Sequence, residues 1–241
     1  ETTPAHYTLE EYYKEDELGQ EVLRNKYLAP WENNPYDMWK RIAKAMASVE
    51  KDIDLWYKKF FTILEDFRFV PGGRIMHGAG RDDITTTLNN CYVVAIKKDS
   101  VKAIYNAIQD EAITYKYGGG CGHDLSVLRP SGSAIGGTGG ESCGPTGFMN
   151  LFSENTNTIA QHGRRGANMQ TIRVDHPDVR KFISIKSGSV DMVKYSNISV
   201  LLTHEFMKAV ENDTDFDLKW GGKEYDTLRA RELWEEIVTS A

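Results

Sequence analysis

Three cysteines, Cys91, Cys121 and Cys143, are the first residues to weigh for chemistry, as metal ligands, reactive thiols or small core residues. They stand 30 and 22 residues apart, with no Cys-x-x-Cys and no paired histidines, so the spacing argues against a zinc site. Cys121 and Cys143 sit among glycines, where a thiol can be exposed. Cys91 follows Asn89-Asn90 at the start of an apolar run, where a small core residue is the plainer reading. His77 and the pair His123-Asp124 have the makings of acid–base groups, but such pairs are commonly structural, and no catalytic role is assigned to them.

Two loops offer binding chemistry. Residues 118–147 hold 11 glycines, far above the roughly 7% of an average chain. Within them, Gly118-Gly119-Gly120-Cys121-Gly122 follows a helical pattern and leads into 125–129. Glycines let a backbone approach a ligand closely and turn N–H groups toward an anion. The run is not a Walker A loop, since no Gly-Lys-Ser/Thr follows, nor a dinucleotide fingerprint, since no strand feeds Gly-x-Gly-x-x-Gly into a helix. Their number favours ligand binding over a flexible surface loop. The second loop, Gln161-His162-Gly163-Arg164-Arg165-Gly166-Ala167-Asn168, pairs two guanidinium forks between glycines, a set suited to phosphates and base edges. A solvated basic turn fits that string equally well.

The elements that must carry these residues are legible from spacing. Residues 1–35 read as short helical pieces and a lead-in arm. Trp39, Ile42, Met46, Val49 and Ile53, then Trp56, Phe60, Ile63 and Phe67, mark two amphipathic helices, with Pro71-Gly72-Gly73 stopping the second. Residues 91–96 read as a buried strand, and Val101, Ile104, Tyr105, Ile108 and Ala112 as a helix ended by Gly118. Pro145 opens a helix that runs to Ile159. Met169, Thr171 and Arg173, then Tyr195, Asn197 and Ser199, alternate as strands, and a helix runs from Asp175-His176-Pro177 to about Ile185. Phe216, Leu218 and Trp220 alternate up to Gly221-Gly222, a hairpin signal, and 227–238 is helical. Strands and helices interleave, so the fold class is α/β with a helical N-terminal cap. The chain has no internal repeat and no low-complexity tract.

Composition narrows the function classes. Of 241 residues, 40% are hydrophobic and 27% charged, too apolar for a disordered chain, and no apolar run nears the ~18–20 residues of a membrane span. A net charge of −6, from 29 basic and 35 acidic residues, argues against coating a nucleic acid polymer. Scattered cysteines and no signal segment point to the cytoplasm.

Six blocks together are specific. Phe69-Val70-Pro71-Gly72-Gly73-Arg74-Ile75, Leu88-Asn89-Asn90-Cys91-Tyr92-Val93, the glycine run, Leu128-Arg129-Pro130, residues 163–169 and Arg173-Val174-Asp175-His176-Pro177-Asp178 occur in the order found in ribonucleotide reductases. The wording of the first, with His77-Gly78-Ala79-Gly80 after it, resembles the adenosylcobalamin-dependent class II enzymes more than the iron-dependent class I large subunit. The resemblance runs from about residue 18 to 241.

It implies a helical N-terminal region, 1–70, and, over 71–241, the first half of a ten-stranded α/β barrel. It makes Cys91 one of the two thiols that reduce the ribose and close into a disulfide. It lines the substrate pocket with Asn90, Gly119, Gly120, Cys121 and Gly122. Asp99 and Arg129 match the residues that hold a deoxynucleoside triphosphate or ATP effector, although one extra residue after Cys91 keeps Lys98 as an alternative to Asp99. Residues 132–143 match the loop at that site. Gln161, Gly163, Arg164, Arg165, Gly166, Ala167 and Asn168 match the loop that relays effector identity to substrate choice, a two-state element biased by ligand. Helices near 101–117 and 145–160 are expected to pair in a homodimer.

The chain departs from the family in what it lacks. The Asn-x-Cys-x-Glu pattern of the radical cysteine, the second redox cysteine and the C-terminal cysteine pair do not occur, and no nucleotide-binding cone precedes the barrel. The expectation is therefore the N-terminal half of a reductase of ribonucleoside di- or triphosphates. A second chain would complete it, through a split gene, an intein junction or a truncation, with adenosylcobalamin bound mostly by the missing half. The alternatives are a class I large-subunit fragment and a deoxynucleotide-sensing module without chemistry.

Overall fold

The computed structural model describes residues 8–137, 139–159, 166–187 and 192–241. The chain divides into two compact units, Glu1–Asn90 and Cys91–Ala241.

The first unit is helical. Helix α1, Leu9–Tyr13, opens on a capping box in which Thr8 and Glu11 satisfy each other's backbone N–H groups. Helix α2 spans Glu17–Lys26 and α3 Pro35–Ala47, where Asn34 caps the first turn and Pro35 occupies it. Helix α4 follows at Ile53–Leu64 and α5 at Gly73–Gly78. Met38, Trp39, Ile42 and Ala43 of α3 bury against Leu9, Leu23, Leu64, Met76 and Ala79. The buried Arg41 guanidinium binds Glu32 at 2.7 Å and the carbonyls of Tyr27, Met76 and Ala79, which joins α3 to the turns around it. The second amphipathic helix therefore stops at Leu64, not at Pro71. Asp66 and Phe67 take positive φ (56° and 53°) and turn the chain, and Pro71-Gly72-Gly73 leads into α5. Met76 and Ala79, beyond residue 70, belong to this helical core.

The second unit is a parallel sheet with helical crossovers. Strands β1 (Cys91–Val93), β2 (Gly120–Asp124), β3 (Asn168–Arg173) and β4 (Ser196–Leu201) pair in chain order, all parallel. Helix α6 (Val101–Lys116) links β1 to β2, α7 (Met149–Thr158) links β2 to β3, and α8 (Val179–Ser184) links β3 to β4. Helix α9 (His204–Asn212), the antiparallel pair β5 (Asp215–Trp220) and β6 (Lys223–Arg229), and α10 (Ala230–Ser240) complete it. This is the expected α/β class, with part of a barrel present. Ile104, Ala107, Leu125, Leu128, Met149, Phe152, Ile172, Val174, Val179 and Phe182 form one core between sheet and helices.

Three sequence expectations change here. The apolar run from Cys91 is a strand of three residues with Cys91 and Val93 exposed, because β1 is an edge strand and only one face of it meets helices. The glycine run is not a loop, since Gly120, Cys121 and Gly122 are in β2, between β1 and β3. Glycine is required at Gly119 because a Cβ there would sit 2.7 Å from both Thr114 Cγ2 and the Tyr92 ring. The last helix begins at Ala230, since Thr227 and Arg229 are held in the β5 ladder. Helix α9 escaped the sequence reading because Phe206 is its one buried residue, although Thr203 caps it with a hydrogen bond from the Phe206 N–H at 3.2 Å. Among the described residues no helix is long and apolar enough to cross a membrane.

Candidate functional site

Strand register sorts the candidate residues onto two faces. Side chains alternate along a strand, and registered partners share a face. Cys91 pairs with Gly120, and Val93 with Gly122, which continues to Met169 and Asn197. This face is open, with Cys91, Val93 and Asn197 exposed. Tyr92, Cys121, Asn168 and Ser196 form a row on the other face, followed by His123, Gln170 and Ile198. Cys121, His123, Asn168, Gln170 and Ser196 are all buried there, under α6 and α7.

The two strand cysteines are thus chemically unlike. Cys91 is a free, exposed thiol on the open face, flanked by Gly120 and Gly122, which leave the sheet surface bare beside it. Cys121 is free but buried, and burial pushes its thiol up to about 11 despite a hydrogen bond with Thr114 that lowers it. Its side chain points away from Cys91's face, so of the expected pocket residues Gly120 and Gly122 lie beside Cys91, while Cys121 contributes backbone. Gly119 precedes β2 with its N–H on the Thr114 carbonyl at 3.0 Å. Asn90 is exposed and immediately precedes Cys91. Cys143 is an exposed free thiol in the 132–143 loop.

Asp99 and Arg129, thirty residues apart, are brought together. Arg129 Nε meets Asp99 Oδ2 at 2.5 Å, and Nη1 donates to the Ala134 carbonyl at 3.0 Å. The side chains keep 30% and 21% exposure, so an incoming anion can reach the guanidinium. Asp99 stands just before Ser100, the N-cap of α6, and it is Asp99 rather than Lys98 that meets the arginine.

Arg129 is fixed from behind by residues whose string was visible but whose role was not. His176 Nδ1 accepts the Asp178 N–H at 3.0 Å, so the proton sits on Nε2, which donates to the Leu128 carbonyl at 2.9 Å. Burial pushes the His176 pKa down, which suits this neutral form. Asp178 accepts the Ser131 N–H at 2.7 Å and its hydroxyl at 2.6 Å, and Lys181 reaches the same hydroxyl. The carbonyl before Arg129 and the N–H two residues after it are therefore both clamped. Beyond the clamp, residues 132–135 and 140–143 run antiparallel, with an Ala134–Glu141 bridge and Gly132 N–H on the Ser142 carbonyl at 2.8 Å. Gly137 and Gly140 take φ of 89° and 116° there, a region that favours glycine.

Gln161, Gly163, Arg164 and Arg165 lie outside the described residues. The end of that loop is described. The Ala167 carbonyl accepts the Cys121 N–H at 2.8 Å, and Asn168 Nδ2 donates to the buried Glu111 at 2.5 Å. His123 Nδ1 faces the Val94 carbonyl at 2.9 Å, and His77 Nδ1 the Lys26 carbonyl at 2.8 Å, both backbone-holding contacts.

Residues 89–241 match the family model of the ribonucleotide reductase barrel domain, and residues 13–83 that of the ribonucleotide reductase all-alpha domain. The chain belongs to the ribonucleotide reductase family. Among curated relatives of this chain, the vitamin B12-dependent ribonucleoside-diphosphate reductase of Thermoplasma acidophilum is 33% identical over 189 residues, 77% of this chain and 24% of the relative. The enzyme of the same name from Mycobacterium tuberculosis is 30% identical over 233 residues, 91% of this chain and 33% of the relative. The ribonucleoside-diphosphate reductase subunit alpha of Chlamydia muridarum is 30% identical over 158 residues, 65% of this chain and 15% of the relative. The chain thus spans a quarter to a third of the B12-dependent relatives, over their N-terminal part.

Proposed function

We propose that this chain is the N-terminal part of the catalytic chain of an adenosylcobalamin-dependent reductase of ribonucleoside diphosphates, and that Cys91 is one of its two reducing thiols. The observation that carries this is the exposed, free thiol of Cys91 on the open face of the sheet, beside Gly120 and Gly122. In the proposed reaction the 2′ hydroxyl leaves as water. Cys91 and a cysteine of the C-terminal half each give up a hydrogen, and one disulfide forms as the ribose gains two electrons. Adenosylcobalamin, when bound, supplies the initiating radical by homolysis of its cobalt–carbon bond.

The Asp99–Arg129 pair supports an effector site. A triphosphate there would exchange the carboxylate on the guanidinium for phosphate, and the segments joined by the Ala134–Glu141 bridge would border it. Val101, Tyr105 and Ile113 on α6 and Leu151 on α7 are exposed apolar residues, which supports pairing of these helices in a homodimer. The C-terminal half would be a separate chain or the remainder of this one.

The test is Cys91→Ser in the chain assembled with its C-terminal half, assayed with ribonucleoside diphosphate, adenosylcobalamin and an external dithiol. Multiple turnover is lost if the assignment holds, and unchanged turnover refutes it. Subunit-alpha relatives at 30% identity also match, so cobalamin dependence of the same assay separates this reading from a class I large subunit.

A further inference from the structure

We propose that Glu111 is a positioning residue for substrate selection, which fixes the end of the 161–168 loop against the sheet through Tyr115 and Asn168. This deepens the functional reading and rests on that loop being the relay between effector and substrate. Glu111 is fully buried on α6. Its Oε1 accepts from the Tyr115 hydroxyl and from Asn168 Nδ2, both at 2.5 Å, and its Oε2 from Asn155 Nδ2 at 2.8 Å. The His123 ring, whose Nδ1 is committed to the Val94 carbonyl, turns Nε2 toward Oε1 at 3.5 Å. One carboxyl group thus ties α6, α7 and β3 together, with the β2 histidine ring beside it.

A buried carboxyl costs stability unless it is fully partnered, and an apolar side chain would pack the same space at no such cost. What it provides here is position. The loop's last residues lie directly on this cluster. A Cβ on Gly166 would sit 3.1 Å from the Thr156 methyl and 3.2 Å from the Tyr115 ring. The Ala167 carbonyl accepts from Cys121 of β2 at 2.8 Å and lies 3.4 Å from the Tyr115 hydroxyl. Asn168, the first residue of β3, is held by Glu111 itself.

The cluster also sits on the element that begins at the effector pair. Asp99 immediately precedes Ser100, which caps α6, and Glu111 lies on the same helix about 17 Å further along at 1.5 Å per residue. A shift of Asp99 and Arg129 on effector binding therefore reaches the loop's end through one rigid helix and one hydrogen-bonded carboxyl. Among the described residues, Asn168 Oδ1 and His123 Nε2 are buried without a hydrogen-bond partner, which leaves a second arrangement of the cluster open.

The experiment uses the chain assembled with its C-terminal half, as wild type, Glu111→Gln and Tyr115→Phe. Two ribonucleoside diphosphates compete in one reaction, with and without a deoxynucleoside triphosphate effector, alongside effector affinity and the unfolding midpoint. The expected result is effector affinity within about twofold of wild type and an effector-driven change in product ratio reduced at least about fivefold. Tyr115→Phe removes one hydroxyl and keeps the ring, so it carries the test if Glu111→Gln does not fold. Folded variants that keep the wild-type product ratios overturn this proposal alone. A wild type whose product ratio ignores the effector overturns the reading of the loop, and this proposal with it.

Discussion

Replacing Asp178 with alanine should loosen the Arg129 segment by an amount that can be worked out from the clamp. The Asp178 carboxylate, 5% exposed, accepts two short hydrogen bonds from Ser131, at 2.7 Å from the backbone and 2.6 Å from the hydroxyl. Hydrogen bonds to a charged group contribute about 1.5–3 kcal/mol each, but two that end on one residue do not add fully. The Lys181 partner at 3.6 Å is 62% exposed, and a surface pair of that kind adds about 0–1 kcal/mol. Since Ser131 is half-buried and water can reach part of it, the net loss for Asp178→Ala is about 3 kcal/mol. Asp178→Asn keeps one acceptor oxygen and should lose about 1–1.5 kcal/mol.

Urea unfolding measures the first number, and the melting temperature should fall by roughly 6–12 °C for the alanine variant, at about 2–4 °C per kcal/mol for a unit of this size. Binding of a labelled deoxynucleoside triphosphate should weaken in step, because the backbone that carries Arg129 is no longer clamped at Ser131. If Asp178→Ala unfolds within about 0.5 kcal/mol of wild type, the clamp argument is wrong, since a released buried donor costs more than that.

Three further outcomes follow from the same geometry. Iodoacetamide at neutral pH should label Cys91 and Cys143 rapidly, while Cys121, buried with its thiol pushed up to about 11, reacts after unfolding; equal rates for all three would contradict the two-faced sheet. Native His176 is held neutral with its pKa lowered by burial, so the unfolded chain binds the extra proton first. The contribution of His176 to stability should then be fully present above the unfolded value near 6.5 and be lost as the pH drops below it, so urea midpoints should show a shallower acid slope in His176→Gln. Gly144→Ala places a Cβ 2.3 Å from Asp178 Oδ2 at a φ of 71° and should cost about 1–3 kcal/mol by thermal unfolding, whereas a neutral substitution would mean that the loop base is slack.

Much of the helical and strand order was legible because burial is one-sided and periodic. Helix α3 shows Met38, Trp39, Ile42 and Ala43 on one face, and the alternating buried residues of β3 appear in its sequence as Met169, Thr171 and Arg173 pointing the other way. Strand β2 was not legible, because Gly120, Cys121, Gly122 and His123 carry no apolar alternation. Their β conformation comes from pairing with β1 and β3 on both sides. The meeting of Asp99 with Arg129 followed from family resemblance, since nothing in a thirty-residue separation signals an ion pair. The clamp by His176 and Asp178 was present as a string without a role, for it acts on backbone atoms that a sequence pattern does not display.

The layering of the second unit's core explains why polar residues were hard to sort into core and surface. A parallel sheet covered by helices is ordinarily apolar on its covered face. Here that holds at the C-terminal ends of the strands, where Leu125, Leu128, Ile172, Val174, Val179 and Phe182 pack together. At the N-terminal ends, level with Cys91, the covered face is polar. Asn168, Gln170, Ser196 and His123 face Glu111, Ser153, Asn155 and Thr156 of the helices, with Gln170 Nε2 bridging the Met149 carbonyl and Ser196 Oγ at 2.9 Å each. Asn150 and Ser153 take backbone N–H groups of Val193 and Tyr195, so α7 fixes the lead-in to β4 by hydrogen bonds where an apolar face would allow sliding. Hydrogen bonds specify position in a way that apolar contact does not. The half of the core that lies behind Cys91 and under the loop's end is therefore the half built for register, and the half remote from them is built for burial.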